Sequence, residues 1–397
     1  MPEFISKSPL TLGKDITTKS EPAKPPSSTS HHVLVVGAGV TGLTSAWLLL
    51  DRGYKVTILS KEWPTFTKEQ RLTSQIAGAM WEFPTAPCGP RLKPDNLARL
   101  REYALQSYDV YLQLAQDTEL APDFGVRVRK ILCGAPYAIA EDEVERERVE
   151  AIEQARIPGF RHDKSLIEAY NLSGGVVVDT FEYQTPIIDS DQAIKFILNL
   201  VKAKGAQLAT GEVKGDFLSH EQELLQQYNA DVIVNATGLD AQTTASDTSL
   251  YAGRGGLLRV VNDGKTFPKI EHALVVNNKD HMDYNIVFVV PRNENTLILG
   301  TFTEEGETEN SLTENSPAMV EMRAKCERIL PQLKDAKLEP EYPIAQGIRP
   351  MRRDDVRIEK ESRRAGSRIV HAYGHGTEGW SLAWGSALEV AGLVASY

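Results

Sequence analysis

The chain has 397 residues, 41% of them hydrophobic, enough to bury a large core in one α/β unit or in two lobes. Its 44 basic and 54 acidic side chains leave a formal charge of −10, which argues against nucleic acid as a partner because phosphate binding wants a basic face. No apolar run is long enough to span a bilayer, so no membrane association is expected.

The first thirty residues are rich in Ser, Thr, Pro and Lys and lack the apolar centre of a signal peptide, so they read as a disordered lead-in. The stretch HHVLVVGAGVTGLTSAWLLLDRGYKVTILS then reads as a buried strand, a glycine turn, an apolar helix and a second strand, which is one βαβ unit. Apolar residues at helical spacing predict a helix over 97–116. The alternating charges of 141–156 predict a helix with a solvated face. Another helix, capped by Asp189, Ser190 or Asp191, stops at Gly205 and is followed by a strand. ADVIVNATG is a short buried strand that ends in a turn.

From Gly256 to about Thr303 the pattern changes. GLLRVV, HALVV, NIVFVVPR and TLILGTFT are β-branched runs between polar turns, as in an antiparallel sheet. The helix SPAMVEMRAKCERIL follows, and the chain closes with the strand SRIVHAYG, a glycine turn and the apolar helix SLAWGSALEVAGLVA. No internal repeat is visible. The layout is an α/β nucleotide-binding core interrupted by a mostly β second domain.

The three cysteines, Cys88, Cys133 and Cys326, are far apart and form no CxxC pair, so neither a disulfide framework nor a zinc site is indicated and no metal is expected. A reducing compartment is the natural reading: cytoplasmic, or peroxisomal where a terminal address has been removed, because the end VASY is not Ser-Lys-Leu.

GAGVTG follows a strand and opens a helix. Gly37 allows the tight turn, Gly39 lets a pyrophosphate approach the backbone, and Gly42 lets helix and strand pack closely. The phosphates would rest on the helix N-terminus, beside Val40 and Thr41, where N–H groups and the dipole favour an anion. An acid normally ends the second strand and holds a ribose. Here Ser60 and Lys61 stand there, with Glu62 just beyond, which weakens a nicotinamide reading. The strand DVIVNATG, ending at Gly238, is a habit of FAD proteins with this fold, although alone it reads equally as an ordinary strand and turn.

From about Val33 to the C-terminus the chain resembles the D-amino-acid oxidase and D-aspartate oxidase family of flavoproteins. Four motifs carry the resemblance: VVGAGVTGL, SQIAGAMWEFP, GIRPMRRDDVRIE and IVHAYGHGTEGWSLAWGSALEVAGLV. It implies an α/β fold with a Rossmann-like FAD-binding domain over 31–95, 185–255 and 340–397. A mostly antiparallel β substrate-binding domain, over 96–184 and 256–339, is interleaved with it. It also implies non-covalent FAD and oxygen as electron acceptor. A D-amino acid would lose hydride from Cα to the flavin and become a 2-oxo acid, with release of ammonia and hydrogen peroxide. The family is often homodimeric.

Residue by residue, the resemblance places the backbone of Ala77, Gly78 and Ala79 against the flavin, with Trp81 nearby. Gly376, Thr377, Gly379, Trp380 and Ser381 fall at the flavin's pyrimidine edge, and Ser74, Val213 and Gly238 join the cofactor contacts. The Thr377 carbonyl accepts from the substrate amine. His375 reads as a packing or hydrogen-bonding residue, since the chemistry needs no such base once the amine is neutral.

The resemblance also implies that Arg349, in Gly-x-Arg-Pro, would be the guanidinium for the substrate carboxylate. Pro350 biases it towards an extended backbone, and Gly347 disfavours a helix before it, which sets it apart from Arg352, Arg353 and Arg357. Tyr284 would help to cover the substrate, or is an ordinary half-buried strand tyrosine. Phe288 stands where relatives more often carry a second tyrosine, and it cannot donate a hydrogen bond. A D-aspartate preference would need a further cation, for which Arg254, Arg292 and Arg352 are the candidates. Trp380 and Phe288 favour neutral side chains instead. The alternatives are a related flavin amine oxidase acting on D-aspartate, glycine, an N-methyl amino acid or a specialised-pathway amine, and a catalytically silent FAD-binding scaffold or sensor.

Overall fold

The computed structural model describes residues 21–67, 71–84, 94–172, 175–278 and 286–397. Among them, two sheets form. The first has six strands in the order Arg357–Lys360, Ile369–Tyr373, Val232–Asn235, His32–Val36, Lys55–Ser60 and Gln207–Thr210. All neighbours run parallel except the edge pair of Arg357–Lys360 with Ile369–Tyr373. The central strand is apolar at every position from Val33 to Val36 because both its faces are covered. Val33 and Val35 pack under the helices Val40–Asp51, Ser190–Ala203 and Ala383–Ala395, with Trp47 edge-on to Trp384 at 5.1 Å between ring centroids. Leu34 and Val36 face the helix Phe217–Gln227 on the other side.

The second sheet has nine strands. Leu250–Val261 lies between Thr296–Gly300 and the short edge Glu304–Glu305, and also pairs with Ile344–Arg352. Beyond Thr296–Gly300 come Val287–Pro291, Ala273–Val276, Val126–Ala135, Asp179–Ile188 and Arg161–His162. Its one parallel pair is Val126–Ala135 with Ala273–Val276. The helix Pro317–Ile329 buries Met319, Met322, Cys326 and Ile329 against Val260, Val289, Leu297 and Leu299 on one face of this sheet.

Several segments sit differently from the sequence-based expectation. Ile344–Arg352 and the start of Leu250–Val261, expected in the FAD-binding part, pair with each other in the second sheet, Arg349 opposite Gly253. Asp179–Ile188, expected to divide at residue 185, runs unbroken in that sheet. The helix Pro94–Gln116, expected in the substrate domain, packs on the closing helix of the first; a side chain at Gly385 would collide with the Tyr103 backbone.

The charged helix is Glu143–Gln154, capped by the Asp142 side chain accepting from Glu145 N at 2.8 Å. It is not solvated all round, because Glu145, Arg148, Val149 and Ile152 are buried. Residues 21–24, expected to be disordered, cross the end of the first helix. Ala23 N donates to Asp51 Oδ1 at 2.8 Å, and Lys204 Nζ reaches Glu21 O at 3.0 Å and Asp51 Oδ1 at 2.6 Å. The fully buried Asp51–Lys204 pair needs those extra partners, and the segment supplies them. No described helix is long and apolar enough to cross a membrane, and no described group of three or more His, Cys, Asp or Glu residues could hold a metal ion.

Candidate active site

A cavity of about 490 Å³ opens between the carboxyl ends of the parallel strands and the second sheet, within the size range of cofactor sites. Its wall begins at the glycine turn. Gly37 has φ +116°, and a Cβ there would collide with the Ala236 carbonyl at the end of DVIVNATG. The two motifs are therefore packed backbone to backbone, which only glycine permits. At Gly39 a Cβ would stand 3.1 Å from Ser74 Oγ, and that hydroxyl accepts from Val40 N at 2.9 Å. Thr41 completes this end of the wall. Gly42 does not line the cavity; a side chain there would collide with Gly37 O, so its role is helix-to-strand packing.

At the end of the second strand, Ser60 Oγ donates to Glu62 O at 2.5 Å and Lys61 Nζ pairs with Asp240 at 2.6 Å. Val213 and Gly238 lie on the same stretch of wall. Asp240, which no sequence motif singles out, brings a carboxylate to this rim from a turn far along the chain.

The small-residue loop forms the middle of the wall through Ala77, Gly78 and Ala79. Arg292, 1% exposed, holds this loop from behind, donating to Ala77 O at 2.5 Å, to Gln75 O at 2.9 Å and to Ser190 Oγ. Ala79 adopts φ +49°, unusual without glycine, and its carbonyl accepts from Ile188 N at 2.8 Å. A Cβ at Gly78 would come within 2.5 Å of the Phe288 ring, so Phe288 lies directly over the loop. Trp81, expected nearby, points away. It is fully buried, donates to Ala104 O at 2.8 Å and packs on Tyr108 with centroids 4.5 Å apart. The next residue, Glu82, turns back onto the cavity wall.

Gly376, Thr377, Gly379, Trp380 and Ser381 close the far side at the entry to the last helix. Gly376 has φ +54°, Trp380 Nε1 donates to Ser74 O at 2.8 Å, and Tyr111 OH donates to Trp380 O at 2.9 Å. His375 Nε2 meets Ser386 Oγ at 3.0 Å, and burial pushes its imidazole down to about 4, which leaves it neutral.

Arg349, like Phe288, lies on the cavity wall. Its Nη1 donates to Phe302 O and Thr303 Oγ1, both at 2.8 Å, and its Nη2 to Thr301 Oγ1 at 2.9 Å. Any side chain at Gly255 would occupy the space of this guanidinium. Gly347, the glycine of Gly-x-Arg-Pro, leaves room for Ile76.

The other arginines are engaged elsewhere. Arg352 pairs with Asp247 at 3.0 Å, and Arg353 pairs with Glu305. Arg357 donates to Tyr373 OH at 2.6 Å. Burial pushes Asp247 up, but Ser249 and Arg352 outweigh it and hold the carboxyl at about 2. Arg254 pairs with Glu304 at 2.7 Å, so neither it, Arg292 nor Arg352 lines the cavity. Arg71, absent from the expected set, does line it, paired with Asp191 and stacked 4.2 Å from the Tyr342 ring centroid. Tyr284 lies outside the described residues.

The family model described as "FAD dependent oxidoreductase", named DAO, matches residues 32–393. The chain is 29% identical over 361 residues to a D-amino-acid oxidase of Rubrobacter xylanophilus, covering 91% of this chain and 94% of that protein. It is 30% identical over 361 residues to a D-amino-acid oxidase of Streptomyces coelicolor, covering 91% and 96%. A D-aspartate oxidase of Talaromyces thermophilus is 25% identical over 377 residues, covering 91% and 94%. Among solved structures, glycine oxidase from Geobacillus kaustophilus superposes with a TM-score of 0.68 at 18% identity, covering 92% of this chain and 95% of that one, which speaks to the fold. With its glycine turn, its small-residue loop and a match that spans nearly its whole length, this chain belongs to the DAO family of FAD-dependent oxidoreductases.

Proposed function

We propose that the protein oxidises D-amino acids with neutral side chains to 2-oxo acids, ammonia and hydrogen peroxide. The observation that carries this reading is the Arg349 guanidinium on the cavity wall, its plane set by Thr301, Phe302 and Thr303 and its space reserved by Gly255. A planar cation fixed in this way suits a carboxylate held by two parallel hydrogen bonds.

FAD fits the cavity on this chain's own features. Gly39, Val40 and Thr41 bring the first helix's N-terminus to the cavity wall, where a pyrophosphate would rest, and Ala77–Ala79 form a stretch of wall without bulky side chains. When bound, FAD supplies the two-electron acceptor for the Cα hydride and passes the electrons on to oxygen. The protein's part is to bind and orient. Arg349 anchors the carboxylate, the Thr377 carbonyl accepts from the amine, and Phe288 covers the pocket and excludes water. In the turn 376–380 the Gly376 and Glu378 N–H groups are taken by Pro350 O and His375 O, so the N–H groups of Gly379 and Trp380 would be the ones to serve the part of the ring where negative charge grows on reduction.

The preference for neutral side chains rests on Arg254, Arg292 and Arg352 lying off the cavity wall, each committed to partners within the protein, and on Arg71, which does line it, being paired with Asp191. The test is a panel of D- and L-amino acids read by peroxide release and by anaerobic bleaching of the flavin. Neutral D-amino acids are expected to turn over fastest. Faster turnover of D-aspartate would overturn the side-chain preference, and bleaching by no D-amino acid would overturn the reading itself.

A further inference from the structure

Glu82 lines the cavity, the reaction above leaves its chemistry unused, and it also belongs to a buried charged cluster. It is 5% exposed, and its Oε1 has no hydrogen-bond partner within the protein. Its backbone N–H donates to Ser381 Oγ at 3.2 Å, which places it where the small-residue loop meets the turn 376–381.

Behind it stands Arg148, from the helix Glu143–Gln154. Arg148 Nη1 is taken by Glu145 Oε1 at 3.0 Å, while its Nε and Nη2 have no partner within the protein. The strand Val126–Ala135 contributes Cys133, and Asp179–Ile188 contributes Tyr183; burial raises both well above their usual range, so both stay neutral. From the helix Pro94–Gln116, Arg101 Nε donates to Pro84 O at 3.0 Å. Arg148 and Glu145 already cancel one another at the core of this cluster. A carboxylate at Glu82 would therefore leave a net negative charge in a dry place. Burial, together with the Glu145 charge and against the pull of Arg148, lifts Glu82 to about 7.

We propose that Glu82 is a positioning residue of the cofactor site: its protonated carboxyl donates a hydrogen bond to a carbonyl on the polar edge of the FAD ring, and its ionisation weakens that hold. The flavin's pyrimidine edge carries two carbonyl oxygens that a neutral acid can serve. An ionised one repels them, and repels more strongly once the ring takes up electrons. The inference rests on FAD occupying this cavity, as in the family to which the chain belongs.

The experiment uses the full chain reconstituted with FAD. The dissociation constant is measured from quenching of flavin fluorescence between pH 5.5 and 8.5, for the protein as it stands, for Glu82→Gln and for Glu82→Ala. The native protein's affinity should fall above neutrality, approaching tenfold per pH unit by proton linkage. Glu82→Gln, which keeps a donor and carries no charge, should bind tightly with no such decline, and Glu82→Ala should bind weakly at every pH. The flavin absorption band should move with pH in the native protein and stay fixed in Glu82→Gln, a signature that mere destabilisation does not produce. Identical pH dependence in the native protein and Glu82→Gln would overturn the proposal. So would Glu82→Gln binding no better than Glu82→Ala at pH 6. A native protein that binds no FAD at any pH would overturn the cofactor reading and this inference with it.

Discussion

Arg349 shows how much a single residue reveals before any coordinates. Gly347 and Pro350 set it apart from the neighbouring arginines on backbone grounds, and the structure places it on the cavity wall while the others are paired elsewhere. Its supports were not legible, because Thr301 and Thr303 reach it only through pairing of strands far apart in the chain. Arg349→Ala should cost about 2–4 kcal/mol of transition-state binding, a loss of roughly 30- to 1000-fold in kcat/KM, with FAD affinity retained. Steady-state kinetics and flavin titration check this, and an unchanged KM would point to another anchor. Glu82 was invisible in the sequence for a different reason: nothing local marks a glutamate as buried. A carboxyl whose folded pKa lies above its unfolded value binds more protons in the fold, so stability falls as pH rises between the two. For Glu82 that window runs from 4.5 to about 7. Glu82→Gln apoprotein should match the native apoprotein near pH 4.5 and exceed it by about 1–3 kcal/mol above pH 7, read by thermal unfolding.

At the scale of elements, the βαβ unit with its glycine turn was legible because strand burial, helix periodicity and turn chemistry agreed. The helix Glu143–Gln154 has the solvated face that its alternating charges suggest, but its buried side was not legible. Its charges alternate as on a solvated helix, yet the face bearing Glu145 and Arg148 turns inward, and self-neutralisation at i, i+3 makes that burial tolerable. The loop 75–79 was legible as small and close-packed, but not the device that holds it. Arg292 grips two of its carbonyls from the second sheet, with Asp189 3.7 Å from its Nε. Arg292→Met should destabilise the protein by about 3 kcal/mol, because buried acceptors and an aspartate lose their partner. It should also weaken FAD binding, whereas Arg353→Met, exposed and off the cavity wall, should not. Chemical unfolding and flavin titration separate the two.

On the scale of the whole molecule, the order of elements suggested a nucleotide-binding core interrupted by a mostly β part, but sequence-local boundaries misplaced the strand that carries Arg349. That strand follows its hydrogen-bond partner, Leu250–Val261, rather than its neighbours in sequence. The N-terminal segment was likewise judged on composition alone, which cannot show that a buried Asp51–Lys204 pair is waiting for two backbone groups. Removing residues 1–24 should therefore cost about 1–3 kcal/mol, seen as a lower melting temperature. The cavity walls come from both sheets, the glycine turn from one and Arg349 from the other. A ligand seated there touches both halves at once, so its binding energy also serves as glue. At a hundredfold excess over its dissociation constant it would add about 2.7 kcal/mol to unfolding. Backbone amides of Ile344–Arg352 should then exchange more slowly with solvent in the flavin-loaded protein than in the apoprotein, although no residue of the GAGVTG turn touches that strand's sheet through a hydrogen-bonded ladder.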